Sequence, residues 1–142
     1  VIMIAIGVYV VPLFGGTALT LGTSLGGLIL IAATVSFSAI SLALLIASIT
    51  RTTEQATTIG GVLNIIFGAL GGIMVPKFVM PGFMQNLANL SPMSWGLEGF
   101  LDIFLRGGGV SDVLPESLSL FGFGVMMLVL TVILLRRQRE VQ

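Results

Sequence analysis

The chain has 142 residues, 56% of them hydrophobic and only 8% charged, with a formal net charge of zero and a mean hydropathy of +1.13. A soluble domain carries about a quarter charged residues, so a chain this apolar cannot hide its side chains in one core of its own, and its main solvent is lipid. It has no cysteine and no histidine, which excludes disulfides, imidazole or thiolate metal sites, and Ser-His-Asp or Cys-His catalysis; the balanced charge offers no basic surface for nucleic acid.

The chain opens at Val1 inside an apolar run with no basic segment or cleavage site before it, which is not the pattern of a secretory signal. At about 1.5 Å per residue, Val1 to Phe14 is too short for about 30 Å of hydrocarbon. The expectation is the end of a truncated span. Gly15 to Thr23 reads as a Gly/Thr-rich connection. Three full spans follow: 24–50, which carries no charge, 56–75, and 118–135. Each has roughly the 17 to 25 residues a spanning helix needs. No ionisable residue lies in the middle of any of them, which weakens an ion-coupled carrier reading.

Charge orients these spans. Arg51 lies in the short turn after the first, and Arg136, Arg137 and Arg139 follow the last. The long segment between the last two spans holds Lys77 and Arg106 against Glu98, Asp102, Asp112 and Glu116. Lys and Arg favour the cytoplasmic side, so the arginines become cytoplasmic topology anchors and the long segment external.

That segment begins PKFVMPGFMQNLANLSP, and its three prolines, Pro76, Pro81 and Pro92, forbid one continuous helix. Phe83, Met84, Leu87 and Leu90 share a helical face, the pattern of a short amphipathic helix suited to an interface. Ser91-Pro92 then forms a helix start, with serine as N-cap and proline at the first position. A second, nearly all-apolar helix runs from Pro92 to about Leu105 and stops at Gly107-Gly108-Gly109. Trp95 suits a membrane–water boundary. Glu98, Asp102 and Arg106 stand at successive i+4 steps, so Arg106 can serve Asp102. Glu98 then needs Lys77, a water-filled cavity or a helix N-terminus. The expected structure at 76–112 is a two-helix hairpin dipping into the outer leaflet; an external loop lying flat on the lipid is the alternative. Trp95, Glu98, Asp102 and Arg106 are its candidate gate or anchor residues.

Within the spans, Ala32, Ser36, Ala39, Ala43 and Ala47 form a ridge of small residues, and Gly68 and Gly72 a GxxxG pair. Both allow close helix packing, within the chain or across a dimer seam. Ser36, Ser38, Ser41 and Asn64 are candidates for a polar route, although hydroxyls in spans mostly bond their own backbone.

The order of these parts resembles the C-terminal half of an ABC-2-type transporter permease. The run LALLIASITRTTEQA matches the family's short turn of type ART-x-x-QA at Thr50 to Ala56. The next span ends in a G-x-x-x-P-x-x-x-M-P pattern at Gly72, Pro76, Met80 and Pro81, and a hairpin signature follows at Ser91-Pro92, Trp95 and Glu98. The resemblance implies an all-α membrane protein, a single transmembrane domain over 1–142, in the cell membrane, with the bacterial inner membrane as its expected location. It implies export driven by ATP hydrolysis on a separate ABC ATPase subunit, with a second permease unit completing the pathway as a homo- or heterodimer. It calls for no cofactor, metal or nucleic acid. The family's early spans, its coupling helix and any large external domain fall outside the match. The sequence holds no GxxxxGK[ST] loop, and its one lysine, Lys77, follows Pro76, so the expectation is a non-enzymatic membrane part. An ATP-independent scaffold or channel-like protein is the alternative.

Overall fold

The computed structural model describes residues 24–75 and 77–140, and among these it is all-helical. The expected span end at 1–14 lies outside the described residues. Helix α1 runs Leu25–Ile49, α2 Thr53–Leu70, α3 Gly82–Ala88, α4 Pro92–Phe104 and α5 Leu114–Glu140, with a short 3₁₀ turn at Lys77–Val79.

Helix ends follow from local chemistry. Ser24 caps α1, its Oγ accepting from the Gly27 amide at 3.1 Å, and Thr50 leaves the helix in extended backbone. Thr52 then caps α2 by accepting from the Gln55 amide at 3.2 Å, while Gln55 Oε1 accepts in return from the Arg51 amide at 3.2 Å. This reciprocal pair resembles a capping box. It compresses the turn between the first two helices to a few residues.

The second span differs from expectation. Its helix ends at Leu70 rather than Val75, because Gly71 caps it and Gly72 takes φ +85°. The Ile73 amide reaches back to the Gly68 carbonyl at 3.3 Å, the Schellman closure that a left-handed glycine permits. Among the described residues, two helices are long and apolar enough to cross a membrane, at Leu25–Ile49 and Leu114–Gln138. The 18-residue α2, whose first turns hold Glu54 and Gln55, is not a third of that kind. Only 28% and 22% of the two apolar windows are buried, which separates them from core helices of a soluble domain.

Helices α1 and α5 share the longest seam. They run parallel: Gly27 lies against Gly109, just before α5, and at the other end Gln138 Nε2 donates to the Ser48 carbonyl at 3.2 Å. Ser117, Leu120, Gly124, Met127 and Thr131 face the seam from α5 at alternating three- and four-residue steps, and α1 buries Gly27, Ile31, Ser38, Ser41 and Ile46. Gly124 leaves room for the Phe37 ring, since a Cβ there would stand 2.6 Å from Phe37 Cε1. Phe37 also stacks on Phe121 with ring centres 5.3 Å apart. The core sits toward the hairpin end, where Ile31, Ile103, Val113 and Leu120 are buried with Trp95 and Phe100 packed against them. The outward faces stay apolar and exposed, with Ile29, Ile40, Val129 and Ile133 among them, as a lipid-facing surface requires.

Candidate functional site

Between the end of α2 and the start of α5, the α3–α4 hairpin is tied together by polar side chains. Lys77, on the 3₁₀ turn, pairs with Glu98 in the middle of α4 and donates to Asn89 Oδ1 at 3.2 Å. Asn89 caps the C-terminus of α3, so one ammonium joins three segments. Trp95 Nε1 donates to the Asn89 carbonyl at 2.9 Å, and its ring meets Phe123 of α5 edge-on at 6.5 Å. Gln85 Nε2 holds the linker by donating to the carbonyls of Lys77 and Met80 at 3.1 and 2.9 Å. The Lys77 and Glu98 side chains are 27% and 37% exposed; such a pair fixes geometry more than it stabilises.

The hairpin rests on α2 through glycine. A Cβ at Gly71 would stand 2.9 Å from Met93 Cβ and 3.0 Å from the Ser94 amide nitrogen, so only glycine lets α2 meet the start of α4. At Gly72 a Cβ would press on Lys77 Cγ at 3.3 Å; the left-handed glycine thus also makes room for the lysine stem. Ser91 holds the N-cap position of α4 without capping it. Its hydroxyl instead donates to the Phe67 carbonyl at 3.1 Å, in the last turn of α2, where that oxygen also accepts from the Gly71 amide at 2.7 Å.

Beside the hairpin, α1, α2, α4 and α5 line a half-open cavity of about 330 Å³, with Ala39 and Asn64 exposed at its edge. Phe67, Met93, Leu97, Phe100 and Phe123 form much of its wall, and Ser38 and Asn64 are its two polar side chains. At the opposite end of the bundle, Arg51, Arg137 and Gln138 line an open cleft with Ala47 and Ser48.

The structure therefore separates the residues singled out in the sequence. Trp95 and Glu98 join one network with Lys77, whereas Asp102 pairs with Arg106 at the far end of α4. Arg51 and Arg137 meet at one end of the bundle; Arg136 is exposed there, and the side chain of Arg139 lies outside the described residues. Ala39, Ala43 and Ala47 are exposed, with Ala39 on the cavity wall and Ala47 in the cleft beside Arg137. Gly68 is buried 3.8 Å, measured from a built Cβ, from Met93 Sδ. The tightest approach of α2 to α4 falls on Gly71, which sequence reasoning passed over in favour of Gly68 and Gly72. Asn89 and Gln85 were also missed as network members; two amides flanking a proline-rich turn were the available signal.

Two long apolar helices run parallel, with a braced pair of short helices at one end and arginines at the other, the pattern of a membrane protein. A sequence model described as ABC-2 type transporter matches residues 1–105, and the chain belongs to that family of transporter permeases. It is also 30% identical over 87 residues to the linearmycin resistance permease protein LnrN of Bacillus subtilis (strain 168). That alignment takes in 61% of this chain and 23% of the relative's length. No solved structure matches the chain.

Proposed function

We propose that the chain forms the C-terminal portion of the membrane-spanning part of an ATP-driven exporter in a bacterial inner membrane. It works with a separate ABC ATPase and a second permease unit, and the two permease units frame the substrate pathway. The observation that carries this reading is the family match, which runs without a break from the first residue through α1, α2 and both hairpin helices. The fold is consistent with it. Arg51 and Arg137 share one end of the bundle, opposite the Gly107–Gly109 turn, and positive charge favours the cytoplasmic face. Helices α1 and α5 then enter from outside and α2 returns, making the third crossing although it is shorter than the other two. The hairpin caps the outer mouth as a re-entrant element, anchored by Lys77, Glu98 and Asn89. The relative's name, a linearmycin resistance permease, makes a toxic compound the first cargo to try.

The test expresses the full-length permease with its ATPase in a drug-sensitive bacterial strain and measures efflux of a panel of antibiotics that includes linearmycin. The expected result is efflux that disappears when the phosphate-loop lysine of the ATPase is replaced. Efflux or conductance that persists without the ATPase would instead establish an ATP-independent channel-like protein.

A further inference from the structure

Among the described residues, Lys77 pairs with Glu98 and Arg106 with Asp102, all at the hairpin end. At the opposite end, Arg51 and Arg137 line one open cleft of about 760 Å³, and neither is in an ion pair among the described residues. No carboxylate lines this cleft; Glu54, on the first turn of α2, is exposed and outside its lining. The backbone sets the two cations in place. The Arg51 amide donates to Gln55 Oε1 at 3.2 Å, and Gln138, next to Arg137, donates to the Ser48 carbonyl at 3.2 Å. Like charges held in one cleft repel, so the cleft calls for an anion from outside the chain.

We infer that this cleft binds an anionic phospholipid, its phosphate on Arg51 and Arg137 and its acyl chains along Ala47, Ile49, Leu134 and Leu135. A guanidinium presents its donors as a planar fork that matches phosphate oxygens. The rest of the lining decides the source of that phosphate. Ala47, Ile49 and Leu135 are exposed carbon surface beside the arginines, which a soluble anion would leave in water. The place in the bilayer fits as well. At about 1.5 Å per residue, the 25-residue apolar stretches of α1 and α5 outrun about 30 Å of hydrocarbon, so their polar last turns stand among lipid headgroups. An acidic segment of a partner protein would have to displace lipid already present at that depth. A zwitterionic lipid carries its own cation and gains less from two arginines. The bound lipid ties the turn after α1 to the end of α5. The inference rests on α1 and α5 spanning the membrane, and it needs neither the ATPase nor a cargo.

The experiment places the full-length permease with its ATPase in phosphatidylcholine nanodiscs. Two probes carrying a diazirine on an acyl chain are titrated in, phosphatidylglycerol and phosphatidylcholine, and labelled sites are mapped by mass spectrometry. The expected result is saturable labelling by phosphatidylglycerol at Ile49, Leu134 and Leu135, at lower concentration than phosphatidylcholine requires. Arg51→Gln and Arg137→Gln should each weaken phosphatidylglycerol about fivefold, the worth of one arginine near an anionic membrane surface, and leave phosphatidylcholine unchanged. Arg51→Lys and Arg137→Lys, which keep the charge, should keep the preference. Arg136→Gln is the control, since Arg136 is exposed at the same end and outside the cleft lining; it should change labelling less than about twofold. An equal loss in Arg136→Gln would mean general attraction to a basic surface and overturns the site. So does equal labelling by the two probes, or displacement of phosphatidylglycerol by inorganic phosphate, which would make the cleft a site for a free anion. Release of the ATPase by the double glutamine variant, with no lipid labelling in the unaltered protein, would assign the cleft to an acidic protein surface and also overturns the inference. ATP-dependent efflux is assayed in parallel. Efflux without the lipid preference defeats this inference alone, and the lipid preference without ATP-dependent efflux defeats the exporter reading alone.

Discussion

Along the α1–α5 seam, contact is made by carbon and by small residues. Gly27 and Gly124 admit close approach, Phe37 stacks on Phe121, and Ser41 and Thr131 turn their hydroxyls back onto their own helices. In the α3–α4 hairpin the backbone reverses within a few residues, and what holds it are single polar bonds between distant positions: Lys77 to Glu98 and Asn89, Trp95 to Asn89, Ser91 to Phe67. The difference is physical. In lipid there is little hydrophobic drive between helices, so a seam depends on shape. The two short helices are joined by irregular backbone whose polar groups must be satisfied one by one. The seam should therefore answer to changes in volume, and the hairpin to changes in charge and hydrogen bonding.

Four substitutions in the full-length protein sharpen or break this contrast, in descending order of expected effect. Gly71→Val sits where the two regimes meet. It drives a side chain into Met93 Cβ and the Ser94 backbone nitrogen, and overpacking of this kind costs about 1–3 kcal/mol; thermal unfolding should shift by several degrees and efflux should be lost. An unshifted transition would mean that α2 does not contact α4 there. Gly124→Ala forces the Phe37 ring to move and should cost about 1 kcal/mol, read from the same melting curve. If it is neutral, the α1–α5 seam is looser than its glycine spacing demands. Glu98→Gln removes charge and keeps shape. Because the pair with Lys77 is partly exposed, stability should fall by less than about 1 kcal/mol while efflux drops, the pattern of a gate. Equal losses of stability and efflux mark a structural anchor, and no loss of either removes Glu98 from both roles. Ala43→Leu, on the exposed face of α1, should leave the fold of one chain unchanged and weaken assembly of the permease pair, seen as a shift toward monomer in native mass spectrometry. An unaltered oligomer would assign that face to lipid.

How far the sequence reaches differs between the same two regions. Helices α1 and α5 are legible from hydropathy alone, within a few residues at each end. Which face of α1 packs is not, because a helix apolar all round carries no amphipathic signal: small residues at Ala39, Ala43 and Ala47 stand out in the sequence, yet Gly27, Ile31, Ser38 and Ser41 make the seam. The end of α2 was misjudged for a related reason. Gly71-Gly72 reads equally as packing glycine or as a helix stop, and only the left-handed backbone at Gly72 decides it. The prolines mark the breaks around the two short helices at Gly82–Ala88 and Pro92–Phe104. The partner of Glu98 stayed open among three possibilities because Lys77 lies 21 residues away, beyond the reach of local spacing. Of the four polar residues proposed for a route, Ser36 and Ser41 bond their own helix, while Ser38 and Asn64 line the cavity; which helix face meets the hollow makes that distinction, and an all-round apolar helix does not encode it.

The central claim is that the hairpin faces the outside and the arginine end faces the ATPase. Single cysteines placed at Ser111, in the exposed turn before α5, and at Thr53, at the exposed start of α2, test it most directly in a background without other cysteines. A membrane-impermeant maleimide applied to intact bacterial spheroplasts should label position 111 and spare position 53 until the membrane is opened. Labelling of position 53 but not 111 in sealed spheroplasts would invert the topology and contradict the account.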